Sequence, residues 1–331
     1  MTLLKKPAAV VICLAALALG FAAGRYSIAS DVASPDTDVI ERNTRYRFIS
    51  PLLECGDYQA SNLMNGDAAE ITEELNAFIE RQKAKDAAED VAVYFRDLNN
   101  GPYVNINSSY RFAPGSLLKV PTAIALYKQA ENDPSILLRP ATLKEGDDNF
   151  DGMQNFVPPE HIERGKAYTL EELARYMLVY SENNAAYLII NSVNTPALLA
   201  SYSDLGIEAP SPEGYSINVR DFGSFFRVLY NASYLSQDDS ERVLSLLSET
   251  FFTDGLAKGV PKGVVVSHKF GERTTDDGMR ELHDCGVVYK PGQPYVLCIM
   301  SRGKSFAGLS DTISGISSIV YGTLLKNNRS F

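Results

Sequence analysis

The sequence predicts a two-lobed α/β fold: an antiparallel sheet built from both chain ends and flanked by helices, beside an all-helical lobe. Three observations predict it. Strand-like runs fall near residues 91–112 and again beyond residue 263, with helical periodicity between them. Each group of strands carries a turn, Asn99-Asn100-Gly101-Pro102 or Pro291-Gly292-Gln293, that folds neighbouring strands back antiparallel. Amphipathic helices at 68–84 and 309–326 bracket the strands and are the natural covers for the sheet.

Taken in order, Ile71, Leu75, Phe78 and Ile79 recur at helical spacing, so 68–84 reads as a helix with a charged outer face. Residues 91–98 (VAVYFRDL) and 103–112 (YVNINSSYRF) read as a hairpin. A helix follows from 116 to about 131. Thr169 precedes Glu172 by three residues, a capping box opening the helix that leads to Ser181. Ala185–Val193 starts another helix, and 194–207, 217–235 and 240–252 supply three more. Strands are predicted at 263–271, 282–290 and 294–303, and the closing helix at 309–326.

The chain has 331 residues, of which 45% are hydrophobic and 22% charged, an ordinary globular balance. Its formal charge is −10 and no basic block stands out, so nucleic acid is not an expected partner. Only His161, His268 and His283 occur, without metal-ligand spacing, so neither a metal nor a cofactor is suggested. Residues 7–24 carry no charge and lie between Lys5-Lys6 and Arg25. Residues 1–25 therefore read as a signal anchor or a signal peptide, the uncleaved anchor being preferred. The rest of the chain would then lie on the extracytoplasmic side of a membrane, or be secreted if the segment is cleaved. Ile12 before Cys13 argues against a lipoprotein site. Among Cys55, Cys285 and Cys298 one intramolecular disulfide at most is possible; Cys285 and Cys298 fall on neighbouring strands, and three small buried side chains are the plainer reading.

The stretch RFAPGSLLKVPTAIALYK, residues 111–128, carries the chemistry. Pro114-Gly115 makes a turn, Ser116 begins the helix, and Lys119 stands one turn later on the same face. A buried lysine loses its proton more readily and can then accept the serine proton. The N–H groups of a helix start favour developing negative charge. Taken alone, Ser-x-x-Lys is more often an N-cap serine beside a solvent-facing lysine.

Further motifs change that balance, and with them residues 65–326 resemble the class A β-lactamases and related penicillin-binding serine hydrolases. Ser116-Leu117-Leu118-Lys119 is similar to the SxxK motif, Ser181-Glu182-Asn183 to SDN, and Lys269-Phe270-Gly271 to KTG, in the family order. The resemblance implies Ser116 as the acylated nucleophile, Lys119 as its base and Ser181 as a proton relay. It implies that Asn183 holds a substrate amide, that Lys269 adds positive potential near Ser181 and the substrate carboxylate, and that Gly271 and Glu272 line the substrate. The backbone N–H groups of Ser116 and Glu272 would form the oxyanion hole. Duller roles exist for each: Ser181 and Asn183 as helix caps, Lys269 as an edge-strand charge, Glu272 in a surface ion pair. Glu182 reads as a surface residue and His268 as structural.

The implied organisation is a terminal segment at 1–25, a linker at 26–64 and a β-lactamase-like catalytic domain at 65–331. Its sheet lobe takes 65–112 and 262–331, and its helical lobe 113–261. Two departures stand out. The loop after the middle helices lacks the family's deacylating glutamate in an ExxLN context, leaving Glu208 and Glu213 as the nearby acids. Phe270 replaces a hydroxyl residue that helps bind a carboxylate. The expected activity is therefore attack on a β-lactam or related amide through an acyl-enzyme, with weak deacylation. The alternatives are a membrane-anchored DD-peptidase or transpeptidase-like protein acting on peptidoglycan peptide, and a non-catalytic cell-envelope binding protein. A monomer is the family-level expectation.

Overall fold

The computed structural model describes residues 46–50, 65–99, 102–148, 150, 152, 154–211 and 214–327. The sheet is built from both chain regions, as expected. β1 (Asp90–Asp97) and β2 (Tyr103–Ile106) come from the first, and β5 (Val266–Thr274), β6 (Arg280–Val288) and β7 (Tyr295–Gly303) from the second. The strand order is β2-β1-β7-β6-β5, with every neighbouring pair antiparallel. Val93 of β1 stands opposite Ile106 on one side and Ile299 on the other. A strand paired on both sides and covered on both faces has no wet side, which is why VAVYF is apolar throughout.

Two clusters fill the faces. Val91, Val93 and Phe95 point to one, where α1 (Asn65–Ala84) brings Ile71, Leu75 and Ile79 and α8 (Phe306–Asn327) brings Ile313, Ile316 and Val320. Ala92 and Tyr94 point to the other, against Phe222 and Phe226 of α6 (Val219–Tyr230). Helix α6 comes so close that a Cβ on Gly223 would lie 2.5 Å from the Tyr94 ring. Each such buried aliphatic or phenyl side chain contributes about 1.5–3 kcal/mol by leaving water.

The helical lobe surrounds α2 (Lys119–Ala130), whose residues from Lys119 to Tyr127 are all buried. Around it lie α3 (Leu170–Val179), α4 (Asn183–Ser192), α5 (Thr195–Ser203) and α7 (Gln237–Ser248). The capping box is present: the Glu172 N–H donates to the Thr169 hydroxyl and the Thr169 N–H to the Glu172 carboxylate. A short ribbon, β3 (Pro140–Thr142) with β4 (Ala167–Thr169), was not predicted. Three-residue strands are too short to show alternation.

Cys285 and Cys298 face each other across β6 and β7, both fully buried, and are joined in a disulfide. Cys13 and Cys55 lie outside the described residues. One expectation is corrected. Residues 1–25 also lie outside the described residues, and among those described no helix is long and apolar enough to cross a membrane. Membrane attachment and the extracytoplasmic or secreted location drawn from it therefore have no support in the structure, and both are withdrawn.

Candidate active site

Two glycines set the geometry. Gly115 has φ +54, a left-handed conformation that glycine adopts without steric cost. A Cβ there would lie 2.8 Å from the Glu272 carbonyl oxygen, and one on Gly271 would lie 2.3 Å from that of Pro114. Without those side chains β5 runs flush against the turn that carries Ser116. That turn, Gly115–Leu118, is a 3-10 turn, and the α-helix begins only at Lys119. The expected α-helical start at 116 is thus one tight turn earlier than the observed one. A tight turn still brings residues three apart over one another.

Lys119 donates from Nζ to Ser116 Oγ at 3.0 Å, Ser181 O at 2.6 Å, Ser181 Oγ at 3.2 Å and Asn183 Oδ1 at 2.7 Å. Four oxygens surround a group with at most three protons. The contact to Ser116 is therefore open to reversal, the hydroxyl donating and the amine accepting, once the amine is neutral. Burial pushes the Lys119 pKa down to about 7, against the opposing pull of the Glu182 and Glu272 carboxylates.

Ser181 sits between α3 and α4 with φ +56, a left-handed position held by a residue with a Cβ. Such backbone costs of order 1–3 kcal/mol and persists where its surroundings over-determine it. The surroundings here are two lysines and a cap. Lys269, fully buried on β5, donates to Ser181 Oγ at 2.8 Å and to Phe270 O at 3.1 Å. Burial, and then the Lys119 charge, hold the Lys269 pKa well below its ordinary value. Glu182 caps α4, accepting from the Asn184 N–H at 3.0 Å and from the Ala185 N–H. It is 1% exposed, which corrects the surface reading. The signal was the acid immediately before Asn183-Asn184 and an apolar run, a helix start with a negative side chain.

The structure thus brings Ser116, Lys119, Ser181, Asn183 and Lys269 into one hydrogen-bonded cluster, with Gly271 and Glu272 beside it. Phe270 borders this cluster, its ring centroid 4.2 Å from Lys269 Nζ, and packs among aromatic rings, stacked on Phe252 with ring centroids 4.4 Å apart and meeting Phe251 and Phe156 edge-on. His268 is buried, with Nδ1 2.8 Å from Asp284 Oδ1. Glu208 is exposed and accepts from Arg111 at 3.1 Å. Glu213 lies outside the described residues.

Sequence reasoning missed the segment Gln154–Phe156. Gln154 Nε2 donates to Ser181 O at 2.9 Å, and the backbone N–H groups of Asn155 and Phe156 donate to the Glu272 carboxylate at 3.1 and 2.9 Å. It belongs to no motif, and its contacts are mostly backbone, so composition carried no signal for it.

A family model described as the beta-lactamase enzyme family matches residues 70–324. A beta-lactamase of Bacillus licheniformis is 25% identical over 297 residues, covering 84% of this chain and 92% of that protein. Among solved structures, PBP-A is similar with a TM-score of 0.64 and 22% identity, over 77% of this chain and 96% of that one. A beta-lactamase from Chitinophaga pinensis gives 0.66 and 22%, over 77% and 99%. At that identity the two structures speak for the fold alone. The family match extends over most of the chain and includes every element of the cluster around Ser116, and the chain belongs to the beta-lactamase enzyme family.

Proposed function

We propose that this protein is a serine hydrolase that opens a β-lactam or related amide through an acyl-enzyme on Ser116. The observation that carries the proposal is the 3.0 Å approach of Lys119 Nζ to Ser116 Oγ, in a setting that lowers the lysine pKa to about 7. Ser116 Oγ attacks the carbonyl carbon while its proton passes to the neutral Lys119 amine. The backbone N–H groups of Ser116 and Glu272 receive the oxyanion. Collapse of the tetrahedral intermediate breaks the C–N bond, and Ser181 passes a proton to the leaving nitrogen, replenished from the lysines that hold its hydroxyl. Asn183 steadies the substrate amide, and Lys269 and Gly271 shape the wall beside it. Water then hydrolyses the ester.

Covalent labelling by a fluorescent penicillin tests this. The protein should label one to one, and Ser116→Ala should abolish the label while leaving the melting temperature within a few degrees. A folded protein that takes no label would overturn the acyl-enzyme. A second reading, a penicillin-binding peptidase acting on peptidoglycan peptide, draws support from Glu208, whose carboxylate engages Arg111 rather than the groups around Ser116.

A further inference from the structure

Beyond the cluster around Ser116, a row of charged side chains crosses one end of the sheet. Register sets it out: Arg273 of β5 stands opposite Glu281 of β6, Glu281 opposite Arg302 of β7, and Arg302 opposite Asp90 of β1. Residues directly opposite one another share a face, so all four point to the side of Cys285 and Met300, which meets the helical lobe. The signs alternate, and a row of this kind can pair off from edge to edge. It does not. Arg302 turns to Asp277 on the β5–β6 turn and stands 3.9 Å from Asp90. Among the described residues the Arg273 guanidinium has no hydrogen-bond or ion-pair partner. Glu281 is 7% exposed, and its buried Oε2 accepts no hydrogen bond from any described residue.

These groups line one cavity of about 600 Å³, walled also by Tyr110, Arg111 and Phe112 from the segment that leads to Ser116. Arg111 is engaged elsewhere, donating to Ser216 and Glu208. A buried carboxylate oxygen without a donor is costly, and folded proteins seldom keep one. Among the described residues no three His, Cys, Asp or Glu side chains are grouped to hold a metal ion. A ligand cation alone would satisfy Glu281 but leave Arg273 unpaired. A ligand anion alone would satisfy Arg273 but meet Glu281 and Asp277. A ligand with both charges side by side satisfies both groups at once. Opposed side chains on neighbouring strands start about 4.5–5.5 Å apart at Cβ, a gap that an ammonium and a carboxylate on one carbon can bridge.

We infer that this cavity is a binding site for the zwitterionic head of an α-amino acid, its ammonium donating to Glu281 and its carboxylate accepting from Arg273. The rest of the ligand lies against Tyr110, which is exposed. The cavity wall continues along the chain from Arg111 and Phe112 to the nucleophile turn, and from Arg273 back to Glu272. The head therefore belongs either to a free amino acid or to the end of an acyl donor's side chain. Its recognition is the same in both cases and does not depend on an acyl-enzyme.

Norleucine is the probe, with N-acetylnorleucine and norleucine amide as controls that each remove one charge. Ligand-observed NMR on the intact protein near neutral pH should show saturable binding of norleucine. Either control should bind about tenfold more weakly or worse, since it loses a charge-assisted hydrogen bond. Glu281→Gln keeps the shape of the acid, and Arg273→Gln alters an exposed side chain. Each should weaken norleucine binding about tenfold or more while the melting temperature stays within a few degrees of wild type. Glu281→Gln should also erase the discrimination against N-acetylnorleucine, and Arg273→Gln that against the amide. No saturable binding of norleucine, equal binding of all three probes, or unchanged norleucine affinity in both variants would overturn the site. The source of the head is read from labelling of Ser116 by cephalosporin C, whose acyl side chain ends in an α-amino acid, against its adipoyl counterpart without the amine. Faster acylation by cephalosporin C that Glu281→Gln removes assigns the head to the acyl donor. Equal rates, with norleucine still bound, assign it to a free amino acid. Failure of both compounds to acylate would sink the acyl-enzyme alone and leave norleucine binding to decide the site.

Discussion

Lys119 has been taken almost wholly out of water, and its ammonium form suffers most from the loss. With the pKa brought to about 7, the sign of its pH dependence follows. In the proposed mechanism the neutral amine is the form that accepts the Ser116 proton, so acylation should fall about tenfold per pH unit below roughly pH 6 and level off above roughly pH 8. Lys269 shares Ser181 Oγ with Lys119, and the measured midpoint belongs to the pair. Label incorporation measured between about pH 5 and 9 checks this; a flat profile would remove Lys119 as the base. Lys119→Arg, which cannot deprotonate, should leave no more than about a hundredth of the rate. Phe270 allows a contrary expectation. Restoring the family's hydroxyl with Phe270→Thr should not improve the site. The phenyl ring is fully buried and stacked on Phe252, so its loss should cost about 3 kcal/mol or more, read as a fall in the denaturant midpoint. An unchanged midpoint with faster labelling by penicillin would show that packing is not what retains Phe270.

At the scale of elements, the hairpin of β6 and β7 is the part the sequence describes best. Its strands have apolar runs of ordinary length, a Pro-Gly turn and two cysteines that end directly opposite one another. Strand pairing was legible there because register follows from the turn, and register alone brought Cys285 to Cys298. Whether the pair was oxidised was not legible, since two buried thiols would leave the same pattern. The disulfide closes a short loop, with a sequence separation of 13, and should contribute about 3 kcal/mol by limiting the unfolded chain. Unfolding by denaturant with and without a reductant measures it: the reduced protein should unfold at a clearly lower midpoint, and coincident curves would mean that pairing alone holds the hairpin. The α3–α4 corner was half legible. Ser181 and Asn183 could be placed at a helix break by their types, but burial of Glu182 under the next helix needed the neighbouring elements. The left-handed backbone of Ser181 has no sequence signature at all, because serine is not the residue that conformation prefers.

On the scale of the whole molecule, the candidate site exists because three remote segments meet: the turn before α2, the α3–α4 corner and the edge strand β5. Motif order made that convergence legible; the segment at 154–156, held by backbone N–H groups, was not. The same convergence decides how an acyl-enzyme would end. Hydrolysis needs a group to take a proton from water, and a positioned general base is worth about 10²–10⁴-fold. Glu182 has its carboxylate committed to the N–H groups of Asn184 and Ala185, and Glu272 to those of Asn155 and Phe156. Glu208 is turned to Arg111 at the surface. Each would have to abandon its partners to reach the acyl carbonyl, and Glu182 would also uncap α4 at a cost of about 1 kcal/mol. Deacylation should therefore lag by about that lost factor, and the penicilloyl adduct should outlast acylation. A pulse of fluorescent penicillin followed by a chase with unlabelled penicillin reads the lifetime, with nitrocefin turnover measured alongside. Persistent label with negligible steady-state turnover is the expected result. Loss of label within seconds, matched by sustained nitrocefin hydrolysis, would mean that a water-activating group lies beyond these three carboxylates, and Glu213→Gln would then be the variant to make.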